Sequence, residues 1–139
     1  MAKRVSFKEI EVGDELPVLR LSLSNEEVRR YAVAANMPGG RFMSDEAAKA
    51  EGLPGQIVPG NMSLALFSRL LAGWGEGIRI ERLSATFRGL VFPNTSLVIT
   101  AVVTEKHTSD HGDFVECDLV LETGDGERRV TGTASVAFP

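Results

Sequence analysis

The segment Gly60-Asn-Met-Ser-Leu-Ala-Leu-Phe-Ser-Arg-Leu-Leu-Ala-Gly73 constrains this chain more than any other. Its apolar members, Met62, Leu64, Ala65, Leu66, Phe67, Leu70, Leu71 and Ala72, fall on nearly every side of a helix, with Ser63, Ser68 and Arg69 as the few polar exceptions. Such a helix is expected to be buried on most sides rather than to lie on a surface. At ~1.5 Å per residue it is about 20 Å long, enough to cross a small domain. The remainder of the chain must therefore wrap around it. With 139 residues, 43% of them hydrophobic, there is material for one domain, residues 1–139, around a single core.

The flanking segments supply the wrapping. Leu19, Leu21 and Leu23 alternate with Arg20 and Ser22, the pattern of a half-buried strand. Ser24-Asn-Glu-Glu27 has the form of a capping box and opens a helix with Val28, Tyr31, Ala32 and Ala35 on one stripe; Pro38-Gly39-Gly40 stops it. Ser44 is placed to cap a short helix over Asp45 to Glu51, ended by Gly52 and Pro54. After the central helix the period changes to two. Leu83, Ala85 and Phe87 alternate with Arg82, Ser84, Thr86 and Arg88, while Ile78 and Ile80 are out of phase with them, which predicts a bulge or bend near Arg82. Pro93-Asn94 marks a turn, Leu97 to Val103 and Phe114 to Leu121 read as strands, and Gly124-Asp125-Gly126 reads as a hairpin turn into a last strand, Arg129 to Phe138. A buried helix followed by antiparallel strands makes an α+β domain in which a sheet curls round the helix.

A net charge of −4 gives no electrostatic reason to bind nucleic acid or an anionic membrane. No stretch approaches the ~20 apolar residues of a spanning helix. Lys3 and Arg4 are followed by no apolar run, so no secretory leader is expected and the cytoplasm is the expected location. The lone Cys117 excludes an internal disulfide; among Val115, Leu119 and Leu121 it reads as a buried strand thiol. His107 and His111 flank Thr108-Ser109-Asp110 and read as parts of a polar turn. With no other His or Cys near them, no metal is expected, and no residue pattern calls for a cofactor.

Several short motifs, weak singly, are specific in their order and spacing: Phe7-Lys-Glu-Ile-Glu-Val-Gly-Asp-Glu-Leu-Pro17, Val28-Arg-Arg-Tyr31-Ala32, Gly52-Leu-Pro-Gly55 followed by Pro59-Gly60-Asn-Met62, Phe87-Arg-Gly-Leu-Val-Phe-Pro93, and Gly132-Thr-Ala134. In this arrangement the chain resembles, over almost its whole length, the MaoC-like hydratases, which add water across the double bond of an enoyl thioester or remove it. Many members have His where this chain has Pro59. The resemblance implies a hot-dog fold, an antiparallel sheet wrapped around a long central helix. It implies an acyl-CoA or acyl-carrier-protein thioester as ligand. It also implies a chemistry: an Asp and a His hold a water and move protons between it and the substrate α-carbon, while a helix N-terminus polarises the thioester carbonyl. Amides at a helix start suit a developing enolate oxygen, and Gly60 and Asn61 stand at that place.

The proton-moving pair itself is replaced. The positions that the resemblance gives to Asp and His hold Met37 and Phe42, and a one-residue slip substitutes Asn36 and Arg41. Asn36 hydrogen-bonds but is no base, and Arg41 stays protonated, whereas proton transfer near neutrality calls for an imidazole or a tuned carboxylate. No catalytic residue is therefore expected, and Asn36, Met37, Arg41, Phe42, Pro59, Gly60 and Asn61 are the candidate substrate-binding residues. Met37, Phe42 and Met43 are either simple core or the lining of an acyl pocket. Arg41 is either a solvated loop cation or a contact for a phosphate of coenzyme A or for an acid on a partner. Asp45 and Glu46, the nearest acids, have a sufficient role in the first turn of the short helix, and Trp74 reads as packing. Two functional readings follow. In one, the chain is a non-catalytic subunit that pairs with a MaoC-like partner carrying the Asp and His, as a heteromer; a homodimer is the other assembly expected of such a fold. The alternative is an active dehydratase or cyclase with altered catalytic residues that uses its pocket mainly to orient a substrate.

Overall fold

A computed structural model describes residues 5–139. Five strands form one antiparallel sheet: β1 (Leu19–Leu21), β2 (Arg79–Phe87), β3 (Leu97–Ser109), β4 (Gly112–Thr123) and β5 (Arg128–Phe138), in the spatial order β1-β3-β4-β5-β2. The helices α1 (Asn25–Ala34), α2 (Asp45–Ala50) and α3 (Gly60–Ala72) all fall between β1 and β2 in the chain. Because β1 pairs with β3 and β2 with β5, the helical segment leaves the sheet at one edge and rejoins it at the other. It therefore crosses one face of the sheet, and α3 packs there. This is the hot-dog arrangement.

The core lies between α3 and that face. Inward-pointing Leu97, Ile99, Ala101 and Val103 of β3, Val115, Cys117, Leu119 and Leu121 of β4, and Val130, Ala134 and Val136 of β5 are buried with Leu66, Phe67, Leu70 and Leu71 of α3. The row on β5 is interrupted at Gly132. A Cβ there would stand 3.0 Å from the Phe67 ring and 2.7 Å from the Ser84 carbonyl oxygen, so only a glycine lets the helix and β2 come this close. The expected bulge lies between Ile80 and Arg82 in the β2–β5 pairing. The capping box of α1 is formed, with the Ser24 hydroxyl accepting from the Glu27 amide at 3.0 Å and the Glu27 carboxylate accepting from the Ser24 amide at 3.1 Å.

Three features differ from the sequence expectation. First, α3 is not covered all round: Asn61, Ala65, Arg69 and Ala72 form an exposed stripe. The sheet covers one side of the helix, and α1 buries only Val28 and Ala32. Second, β3 and β4 run well past Val103 and start before Phe114, as a long hairpin closed at Asp110 and His111. Beyond Val103 most side chains on both faces meet water, so the apolar alternation fades while the backbone ladder continues. Third, His107 is consequently a strand residue, paired with Phe114, its ring stacked on that phenyl at 5.3 Å between centroids. Among the described residues no helix is long and apolar enough to cross a membrane.

Candidate functional site at the start of the central helix

Pro59 is the buried N-cap of α3, and its carbonyl accepts from Met62 at 3.0 Å and Ser63 at 3.3 Å. The amides of Gly60 and Asn61 precede those bonds and, as in any first helical turn, have no intrahelical acceptor; they carry the positive end of the helix dipole. The approach to the helix is pinned on both sides. The Ile57 amide donates to the Arg41 carbonyl at 2.9 Å and the Val58 amide to the Val91 carbonyl at 2.8 Å. Between these segments lies a cavity of about 220 Å³, lined by Arg41, Phe42, Ile57, Val58, Gly60 and Ser63 on one side and by Phe87, Gly89, Leu90, Val91 and Val130 on the other. Its walls are mostly apolar. Among the described residues that line it, Arg41 is the only ionisable one, and the Arg41 guanidinium bonds the Glu51 carboxylate at 3.1 Å in a half-exposed surface pair.

The candidate residues divide by position. Arg41, Phe42 and Gly60 meet at the cavity. Met37 and Asn61 sit against each other on the exposed side of the helix start, with Asn61 Nδ2 3.9 Å from Met37 Sδ. Pro59 caps the helix. Asn36 is outside the cavity lining and has a backbone role: its φ of 56° is left-handed, its amide donates to Val33 at 3.1 Å, and the next amide, of Met37, donates to Ala32 at 2.8 Å. That paired return is the Schellman ending of α1, which favours Gly or Asn at this position. Of the apolar trio, Phe42 alone lines this cavity, while Met43 faces a polar groove with Glu26 and Arg29.

Sequence reasoning missed Gln56, which is 1% exposed. Its Nε2 donates to the carbonyls of Phe42 at 2.7 Å and Asn25 at 3.1 Å, and its Oε1 accepts from Asn25 Nδ2. Its backbone amide donates to Asp45 Oδ1 at 2.9 Å, and Asn94 Nδ2 donates to Asn25 Oδ1 at 2.7 Å. One buried amide thus ties the starts of α1 and α2 to the segment that leads into α3. The Asp45 carboxylate is taken up in this network, and Asp45 does not line the cavity. Nothing local marks Gln56 in sequence, because its partners lie up to 31 residues away. Phe87 and Leu90 were also passed over, since their place at the cavity depends on how β2 ends.

The titratable groups elsewhere have other work. On the outer face of the sheet, burial opposes ionisation of Glu116, but hydrogen bonds from Ser135 at 2.7 Å, His107 at 3.3 Å and Arg82 at 3.2 Å outweigh it and hold the carboxyl below its ordinary value. Ser135 and His107 both meet Oε2 of Glu116, so the serine proton goes to the carboxylate and the imidazole does not activate the hydroxyl. Burial pushes the Cys117 thiol up to about 12, which keeps it a thiol at neutral pH. No group of three His, Cys, Asp or Glu gathers as a metal site among the described residues.

A family model described as a MaoC like domain matches residues 11–124. Among solved structures, the R-hydratase PhaJ1 from Pseudomonas aeruginosa in its unliganded form superimposes with a TM-score of 0.90 at 20% identity, over 99% of this chain and 88% of that one. The (R)-hydratase from A. caviae involved in PHA biosynthesis gives 0.84 at 24% identity, over 95% and 99%. The ChsH1–ChsH2 complex from Mycobacterium tuberculosis gives 0.82 at 19%, over 93% and 98%. No curated protein matches in sequence. At these identities the structural likeness carries the fold alone.

Proposed function

Because the chain belongs to the MaoC-like domain family, we propose that it holds an acyl-CoA or acyl-carrier-protein thioester at the start of α3 and acts as the non-catalytic subunit of a hot-dog pair whose other member carries the Asp and His. The observation that supports this reading is the make-up of the cavity. It combines apolar walls and the first helical residue, Gly60, with no described carboxylate or imidazole in its lining. Adding water to an enoyl thioester needs a base to take a proton from water and an acid to deliver one to the α-carbon. The amides of Gly60 and Asn61 supply neither; they stabilise negative charge on the thioester oxygen. The partner then supplies proton transfer, while this chain shapes the acyl channel and completes the assembly through its open edge strand β2. A complex of two named proteins, ChsH1 and ChsH2, is among the structures with this fold. The reading of an active enzyme with altered residues draws no support from Asn36, which ends a helix, or from Asp45, which holds main chain.

The test is to purify the chain alone and together with a MaoC-like subunit that retains the pair, and to follow hydration of crotonyl-CoA and longer enoyl thioesters. The expected result is no turnover by the chain alone, a stable mixed complex, and a chain-length profile that differs from that of the partner alone. Hydration by the isolated chain, or a homodimer that persists on co-expression with catalytic hydratases, overturns it.

A further inference from the structure

We propose that the Phe87 ring sets the size of the acyl group admitted at the start of α3, and that Gly60 is a glycine so that the ring can rest there. The proposal rests on the thioester reading above and adds the residue that selects within it. Phe87 is the last residue of β2 and in phase with Leu83 and Ala85, so the pleat sends its ring to the helix side of the sheet. The ring lies against the first residue of α3: a Cβ on Gly60 would stand 2.8, 3.0 and 3.2 Å from three of its carbons. It therefore walls the cavity at the amide placed to meet a carbonyl.

Three of the other walls are fixed. Val58, Val91 and Val130 are 6%, 4% and 1% exposed, and a close-packed interior does not yield by a methylene without cost. Phe87 is 51% exposed and its cavity neighbour Leu90 39%. The ring can turn about its own side-chain bonds into water, and its carbons are the nearest to Gly60, so selection by size at the start of α3 falls on it. Each methylene buried in an apolar wall is worth about fourfold in affinity, so a wall that stops the chain short gives a sharp limit in length.

The test uses the whole chain, in the assembly in which it purifies, titrated with unreactive alkyl thioether analogues of coenzyme A from butyl to dodecyl. The expected result is a length limit in the wild type that moves to longer chains in Phe87→Ala, with about tenfold tighter binding of the first excluded length and little change for butyl. Phe87→Leu should shift it part of the way. Gly60→Ala, which pushes the ring aside and keeps the backbone amide, should shift the limit in the wild type and not in the Phe87→Ala background. An unchanged profile in Phe87→Ala overturns the proposal. So does a change confined to sedimentation behaviour, which would make the ring a contact between subunits. Wild type and variants that bind none of the analogues overturn the thioester reading and this inference together, whereas an unchanged but measurable profile overturns only the inference.

Discussion

Gln56 holds the site together without touching the cavity. Replacing it with Ala leaves two part-buried carbonyls and the Asn25 amide short of partners, and should lower stability by about 1–3 kcal/mol in urea unfolding. A loss below about 1 kcal/mol would mean that water has taken the place of the amide. Asn36 makes the opposite case, a residue whose apparent role in sequence dissolves in its backbone. Asn36→Ala should cost about 1 kcal/mol because Ala lacks the short polar side chain that lets Asn adopt the left-handed conformation, whereas Asn36→Gly should be tolerated and leave ligand binding intact. Loss of acyl binding in the glycine variant would restore Asn36 as a ligand contact. Both residues show where reading residue by residue stops. Motif order put Gly60 and Phe42 in one candidate set, and both line the cavity. It could not tell a polar side chain that binds from one that ends a helix, because both tasks favour Asn.

Among the elements, those with a local signature were legible: the capping box of α1, the cap of α2, the bulge in β2 and the extent of α3 are each written in a few adjacent residues. The far half of the β3–β4 hairpin was not, because its ladder is held by backbone bonds between residues whose side chains meet water. There a single carboxylate braces four strands: Glu116 of β4 bonds Arg82 of β2, Ser135 of β5 and His107 of β3. Since folding lowers its pKa, its contribution is fully present above the ordinary value of 4.5 and is lost as pH falls through the lower folded value. Wild type should therefore lose stability on acidification more steeply than Glu116→Gln. Parallel urea midpoints across that range would show that the brace contributes little, as its partly exposed pairs allow.

Taken as a molecule, the domain has one core that closes when α3 docks on the sheet. Trp74, the only tryptophan, follows α3 and meets Phe138, the last residue of β5, edge to face at 5.3 Å. Its fluorescence should therefore change together with the far-ultraviolet signal of the strands in one cooperative transition. Separate midpoints would divide the domain into independently melting parts. If the protein is a dimer, the shared midpoint should rise with concentration.

The sheet ends in two very unequal edges, three residues of β1 on one side and nine of β2 on the other. Joining two sheets through β2 consumes the long edge of both. On the other side β1 covers only Leu97–Ile99 of β3 and residues 13–16 bond Ala101 and Val103, and the stretch of β3 beyond carries Glu105 and Lys106, charges of the kind that blunt an open edge against further strands. An assembly made this way saturates instead of polymerising, and crowding it further should thicken the solution without seeding fibrils.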